Sequence, residues 1–208
     1  MVKIVLFDID GVIIRHEKLF SDTLCQDRYP NAGLVLNQLY KTDNNKKCDK
    51  GELDIFEYIK SYLDEINWDK SVEDYLKLQY EFESRFIDTQ LLKNIRELKM
   101  NDIITGIASN QNQYRKGFLL ENLDVSNVFD NYYFSSDIGY VKSEDKYWVY
   151  VINNLKNKYY DLKNEEIMFL DDLEKNTNKA KEFGINSILI RCREDIDEIF
   201  RKIEERVV

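Results

Sequence analysis

Five short hydrophobic runs, each bounded by polar or turn residues, lie along the chain at 4–7, 103–108, 132–134, 167–170 and 187–190. Runs of this kind are typical of strands that a parallel sheet buries on both faces. Segments with apolar residues three and four positions apart, the spacing of a helix face, follow the later runs at 113–123, 144–156, 174–183 and 194–205. This alternation predicts an α/β fold with a Rossmann-like doubly wound parallel sheet.

A long insertion separates the first two predicted strands. Its segments 31–40, 52–63 and 72–86 have helical spacing, as in LDIFEYIKSYL and VEDYLKLQYEF. We therefore predict an α/β core domain of residues 1–15 and 87–208, and a small helical domain of residues 16–86 inserted into it. A helix at 89–100 leads back into the sheet, and NNKKCDKG at 44–51 is predicted to be a polar loop between helices.

Composition narrows the range of functions. A net charge of −9 disfavours nucleic acids and anionic membranes as partners, because such binding depends on basic surfaces. No apolar run reaches the roughly 18 residues of a membrane span, and MVKIVLFD lacks the layout of a signal peptide, so a cytoplasmic protein is expected. The three cysteines are widely spaced without a CxxC pair, which predicts neither disulfides nor a zinc site. The oligomeric state stays open.

Four acidic residues follow two of the predicted strands: Asp8 and Asp10 in IVLFDIDGVII, and Asp171 and Asp172 in FLDDLEKN. Ligands of an open α/β sheet bind beyond the carboxyl ends of its strands, and residues two apart on an extended segment point to the same side. Close carboxylates raise one another's pKa values unless a cation neutralises them. Since oxygen-only ligands favour magnesium over zinc, we predict a Mg²⁺ site here.

Polar residues follow two further strands. GIASN places Ser109 and Asn110 where a hydroxyl, an amide and backbone donors can hold phosphate oxygens. GYVKSEDKYW places Lys142 in a turn before a helix, where its charge can pair with a carboxylate and a phosphate. These groups together can hold a phosphate.

Together these four segments resemble motifs I to IV of the haloacid dehalogenase-like (HAD) superfamily, and residues 16–86 stand in the place of its helical C1 cap. The resemblance implies that Asp8 is the nucleophile that becomes an aspartyl phosphate. It implies that Asp10 is the general acid/base, Ser109 a phosphate-binding residue and Lys142 the orienting lysine.

The resemblance also implies the ligands of the metal ion. Asp172 would bind magnesium directly, together with the carboxylate of Asp8 and the backbone carbonyl of Asp10. Asp171 would contact it through water.

The acid at position 10 points to one branch of the superfamily. Dehalogenating members need no acid there, whereas phosphatases and phosphomutases do. The segments KGELDIFEYI, SNQNQY and FLDDLEKNTNKAKEFGINSILI look most like the bacterial sugar-phosphatase subgroup that includes glucose-1-phosphatases. This implies a magnesium-dependent phosphatase of small phosphomonoesters, with sugar phosphates as the leading class. A phosphomutase of the β-phosphoglucomutase type and a non-catalytic HAD-like binding module stay open as alternatives.

Other residues near these motifs are given ordinary structural interpretations. His16, the only histidine, is interpreted as a hinge residue, with contact to substrate as the alternative. The lysines of the predicted 44–51 loop are interpreted as solvated, with contact to a phosphorylated substrate as the alternative: Lys46, Lys47 and Lys50.

Overall fold

Five parallel strands form one sheet in the computed structural model, which describes residues 1–122 and 127–204. The strands are β1 Ile4–Phe7, β2 Ile104–Ser109, β3 Asn131–Phe134, β4 Ile167–Asp171 and β5 Asn186–Leu189. Their order is β3-β2-β1-β4-β5, so the chain builds outward from β1 on one side and then on the other. This confirms the predicted α/β fold. Each predicted strand is present, with its ends shifted by one residue at most.

Eleven α-helices lie within the described residues: α1 Phe20–Asp27, α2 Ala32–Leu39, α3 Asp43–Asp49, α4 Ile55–Glu65, α5 Val72–Glu83, α6 Thr89–Met100, α7 Gln113–Asn122, α8 Ser135–Ile138, α9 Asp145–Lys158, α10 Glu174–Glu182 and α11 Arg193–Glu204. The predicted helix ends at Leu123 and Glu205 lie outside the described residues. None of the helices in the described ranges combines the length and the apolar character that a membrane crossing needs.

The central strand β1 is buried on both faces because its side chains alternate between two cores. Val5 and Phe7 pack with residues of α6 and α11 on one face. Ile4 and Leu6 pack with residues of α9 on the other. Burial on both faces explains why β1 reads as a continuous hydrophobic run.

The helices α1 to α5 occupy the insertion between β1 and α6 and share a hydrophobic cluster of their own, which includes Leu36, Ile59 and Tyr75. Two backbone hydrogen bonds join the segments that enter and leave the insertion: Arg15 N to Phe86 O at 3.1 Å, and Asp88 N to Ile13 O at 2.9 Å. These contacts agree with a helical insertion. The exact domain boundaries at residues 16 and 86 stay a prediction.

The prediction of a polar loop at 44–51 is wrong, because most of this segment forms α3. The hydroxyl of Thr42 caps the helix by accepting a hydrogen bond from Asn45 N at 3.2 Å. Cys48 is the buried residue that ties the helix to the cluster of the insertion. One buried residue in a polar segment leaves no periodic hydrophobic pattern, so the sequence resembles a loop.

Candidate active site

Asp8, Asp171 and Asp172 meet at the carboxyl end of the sheet. Asp8 follows β1, and its backbone N donates to Leu170 O of β4 at 2.9 Å, which sets the two strand ends level. One carboxylate oxygen from each of the three acids lies within 4.8 Å of the others. Asp8 and Asp171 are buried, and Asp172 is more exposed. Three of the four acids that follow β1 and β4 therefore lie together, and the carboxylate of Asp10 lies apart from them.

Lys142 lies between two of these acids. Its Nζ is 2.6 Å from Asp8 Oδ2 and 2.6 Å from Asp171 Oδ2, and the residue is only 1% exposed. Two hydrogen bonds hold its backbone: Lys142 N donates to Asn110 Oδ1 at 2.9 Å, and Trp148 Nε1 donates to Lys142 O at 2.8 Å. The lysine is thus fixed against the acid that follows β1.

Asn176 is a supporting residue that the sequence analysis missed. Its Nδ2 donates to both oxygens of Asp171, at 3.0 and 3.1 Å. Leu173 N donates to Asp171 Oδ1 at 2.8 Å. Asn176 lies in the first turn of α10, directly after FLDDLEK. The sequence therefore shows that it is near the acids along the chain, but not that it binds Asp171.

The carboxylate of Asp10 turns away from the other three acids toward Arg115. Arg115 Nη1 lies 2.6 Å from Asp10 Oδ2, and Nη2 lies 2.7 Å from Oδ1, which is a bidentate pair. Gln111 Nε2 donates to Oδ2 at 2.9 Å, and His16 Nε2 lies 3.5 Å from Oδ1. The Asp10 side chain keeps 37% of its surface exposed, so a ligand can reach it.

Arg115 also joins this site to the inserted helices. Its Nη2 lies 2.9 Å from Oε2 of Glu83 at the end of α5. Neither residue was predicted from the sequence, because the two lie far apart along the chain. The sequence did carry one signal for Arg115. Gln111 and Arg115 are four positions apart just after the end of β2, a spacing that can bring two side chains to the same side of a helix.

Ser109 ends β2 at the same side of the sheet. It is 1% exposed, and its Oγ accepts a hydrogen bond from Gln111 Nε2 at 3.0 Å. Because the same Gln111 nitrogen donates to Asp10, one amide links the strand end of β2 to the acid after β1.

The family follows from comparison with known proteins. The sequence model of the haloacid dehalogenase-like hydrolases matches residues 2–184. The chain belongs to this family. No curated protein matches it.

Solved structures show the same fold. A HAD family enzyme of Bacteroides thetaiotaomicron, solved with magnesium and inorganic phosphate, is 20% identical with a TM-score of 0.74, over 96% of this chain and 100% of that one. A predicted HAD-like family hydrolase of Porphyromonas gingivalis is 20% identical with a TM-score of 0.72, over 98% of each chain. The L-2-haloacid dehalogenase of Xanthobacter autotrophicus is 15% identical with a TM-score of 0.63, over 93% of this chain and 80% of that one.

The charges in this HAD-like site are unbalanced. Burial raises the pKa of Asp8 well above its usual value, and Asp171 and Asp10 add to this effect although Lys142 opposes it. Burial and then Asp171 likewise raise the pKa of Asp172. A divalent cation among these oxygens would supply the missing positive charge, and the oxygen-only donor set fits a hard cation such as magnesium.

For Lys142 and Asp10, in contrast, the charged partners outweigh the effect of burial on the pKa. Burial acts to lower the pKa of Lys142, but the negative charges of Asp8 and Asp171 outweigh burial. The pKa is therefore raised, and the lysine is charged. Partial burial acts to raise the pKa of Asp10, but Arg115, His16 and Gln111 outweigh this effect and lower the pKa. As placed here, Asp10 is an ionised carboxylate.

A cavity of about 160 Å³ lies between Asp10 and the inserted helices of this HAD-like hydrolase. Arg115 and Asn110 line it on the side of the sheet. Its apolar wall comes from α2, α4 and α5, through Leu39, Ile55, Ile59 and Leu76.

Two of the three lysines in 44–51 lie near an acid that precedes α9, and Lys46 and Lys47 are exposed to solvent. Lys46 Nζ lies 3.0 Å from Glu144 Oε1, and Lys50 Nζ lies 4.0 Å from the same oxygen. Glu144 precedes α9, so these pairs join α3 to the α/β part of the chain. Lys47 is exposed and donates to Asn44 Oδ1 at 3.3 Å.

Proposed function

We propose that this HAD-like hydrolase is a magnesium-dependent phosphatase of small phosphomonoesters that forms an aspartyl phosphate on Asp8. The observation that carries the proposal is the position of Asp8. It is buried against Lys142 and lies with the carboxylates of Asp171 and Asp172, and a further acid, Asp10, follows two residues later. The magnesium and phosphate found in the Bacteroides thetaiotaomicron enzyme support the same chemistry at this fold.

Asp8 would act as the nucleophile. One of its carboxylate oxygens bonds to phosphorus while the bond from phosphorus to the leaving oxygen breaks. Lys142, 2.6 Å from Asp8, orients this carboxylate and offsets the charge of the phosphoryl group. Ser109 and Asn110, at the end of β2, would donate hydrogen bonds to phosphoryl oxygens.

Asp10 would move the protons. Once its carboxyl has left Arg115 and taken up a proton from solvent, it gives that proton to the leaving oxygen; the resulting carboxylate then takes a proton from the water that attacks phosphorus, and the bond from phosphorus to Asp8 breaks. As placed here, both Asp10 oxygens are held by Arg115. We therefore propose that the Asp10 carboxyl turns from Arg115 toward the leaving oxygen when substrate is bound.

Magnesium would be held by the carboxylates of Asp8 and Asp172, the backbone carbonyl of Asp10 and, through water, Asp171. It would supply positive charge to the phosphoryl group. We propose that residues 16–86 act as a cap that excludes water from the site.

Sugar phosphates are the proposed substrate class. The cavity next to Asp10 is about 160 Å³, and it presents hydroxyl and amide groups that can bind a polyol: Tyr40, Asn45, Gln79, Tyr80 and Asn112. The test is a screen of phosphorylated metabolites for release of inorganic phosphate with magnesium. Formation of a phosphorylated isomer instead would identify a phosphomutase, and no turnover of any ester, including p-nitrophenyl phosphate, would identify a binding module.

Removal of the metal should abolish activity. We expect turnover to vanish in excess EDTA and to return with magnesium, and also with manganese or cobalt, because all the proposed ligands are oxygen atoms. Zinc and calcium should support little activity. The assay is phosphate release before and after readdition of each metal, and undiminished turnover in EDTA would contradict the metal assignment.

Gly11→Ala should weaken magnesium binding. Gly11 has φ of +76° and lies so close to Asp172 that a Cβ atom would overlap the Asp172 carboxyl group. We expect the magnesium affinity, measured by calorimetry, to fall about 10- to 100-fold, as for other changes beside metal ligands. Gly117→Ala is the control, because its Cβ would meet nothing within 4 Å, and it should keep the affinity of the wild type. Equal affinities for both variants would show that Asp172 can move without loss.

A further inference from the structure

The cavity next to Asp10 has an acidic lining. Its charged residues are three acids and one arginine: Asp10, Asp49, Glu83 and Arg115. Three carboxylates against one guanidinium give a formal charge of −2 when all four are ionised. Among the described residues that line this cavity, the others are uncharged.

Arg115 is already paired with two of these acids. Its two terminal nitrogens contact both oxygens of Asp10, and Nη2 also contacts Glu83 Oε2 at 2.9 Å. Its guanidinium lies over the ring of Tyr80, with 5.6 Å from Cζ to the centroid. An anion that entered the cavity would have to break these contacts and leave carboxylates without their partner, which is costly in a partly buried site.

Asp49 adds the third negative charge from α3. It is partly buried in the cavity wall, and burial raises its pKa to about 7, against the opposing effect of Arg115. Its Oδ2 accepts a hydrogen bond at 3.4 Å from Nδ2 of Asn45, which is a neutral residue. Above pH 7 its charge therefore faces the cavity.

A neighbouring cavity of about 220 Å³ does not change this balance. It shares Asp10, Glu83 and Arg115 with the first and adds His16. The His16 ring is directed at Asp10, with 3.5 Å between Nε2 and Oδ1. His16, like Arg115, therefore contacts Asp10 and is not free to pair with an anion in the cavity.

We propose that Asp49 and Glu83 make the leaving-group cavity select monophosphates with an uncharged leaving group and reject substrates that carry a second phosphate. The inference rests on the proposed function, because it takes the reacting phosphate to lie at Asp8. It also favours the phosphatase over the phosphomutase alternative. A bisphosphate intermediate with one phosphate at Asp8 would have to place the other in this acidic cavity.

The test compares glucose 1-phosphate and glucose 6-phosphate with glucose 1,6-bisphosphate. At pH 8 and saturating magnesium, the wild type should favour the better monophosphate in kcat/KM by about tenfold or more, as expected for charge repulsion in a partly buried site. Glu83→Gln and Asp49→Asn keep the size of each side chain and remove its charge. In each variant, the ratio of kcat/KM for the monophosphate to kcat/KM for the bisphosphate should fall by about three- to tenfold. Glu65→Gln, an exposed change on α4 with the same loss of charge, should keep the preference of the wild type.

Binding to the Asp8→Asn variant by calorimetry measures the same preference without turnover. Preference for monophosphate in binding with no hydrolysis by the wild type would sustain this inference and refute the proposed function. If the wild type had equal kcat/KM values for the bisphosphate and the better monophosphate, the inference would be overturned. Arg115 would then have to leave its acids and bind the second phosphate. A preference unchanged in both isosteric variants would also overturn it, because the rejection would then depend on size alone.

Discussion

Asp8→Asn should reduce kcat for every phosphomonoester by a factor of about 10⁴ or more, because it replaces the proposed nucleophile with a neutral amide. An amide oxygen at this position can still accept the hydrogen bond that Ile9 N donates to Asp8 Oδ1 at 2.8 Å. Lys142 keeps its contact with Asp171. The geometry of the strand end should therefore persist while the covalent step is lost.

The stability of the metal-free protein should not fall in this variant. The folded-state pKa of Asp8 is raised above its unfolded value, so an ionised Asp8 destabilises the fold once the pH exceeds the unfolded pKa. Asparagine removes that penalty at neutral pH. We expect the Tm in EDTA to equal or exceed that of the wild type.

The measurement is steady-state kcat together with thermal unfolding. Asp64→Asn, an exposed change on α4, serves as the matched control and should leave both quantities unchanged. If Asp8→Asn kept a tenth of the wild-type kcat, Asp8 would not be the nucleophile. A large drop in Tm would instead assign the lost activity to unfolding.

The convergence of the acids was predictable because it depends on strands alone. Parallel strands present their carboxyl ends at one side of the sheet, so acids after β1 and β4 must be neighbours wherever the helices lie. The hydrophobic runs place those strand ends to within one residue. Asp8, Asp171 and Asp172 could therefore be brought together from the sequence.

The partners of Asp10 were not predictable in the same way. Arg115 lies on α7 and Glu83 on α5, and their contact depends on how the inserted helices pack over the sheet. The contact between these helices runs through apolar residues such as Tyr80 and Phe118, whose rings lie 5.6 Å apart. A hydrophobic pattern shows that such residues are buried but not which ones meet. The acidic lining of the cavity stayed hidden for the same reason, since Asp49 belongs to a segment interpreted as a loop.

Asp10→Asn should slow the reaction in proportion to how much the leaving group needs a proton. A sugar leaves as a poorly stable alkoxide, whereas p-nitrophenolate is stable enough to leave unprotonated. General acid catalysis contributes about 10²- to 10⁴-fold, so the rate with a sugar phosphate should fall by about that factor. The loss of the first step with p-nitrophenyl phosphate should be much smaller.

The second step separates the two roles of Asp10 in the same variant. Because Asp10 would also activate the attacking water, the aspartyl phosphate on Asp8 should accumulate when Asn stands at position 10. Rapid mixing with p-nitrophenyl phosphate should show a burst of p-nitrophenol about equal to the enzyme concentration, followed by slow turnover. Asn cannot form the charged bidentate pair that Arg115 makes with Asp10 at 2.6 and 2.7 Å, so unfolding must be measured alongside. Equal losses with both substrates, no burst and an unchanged Tm would reduce Asp10 to a residue that positions its backbone carbonyl and Arg115.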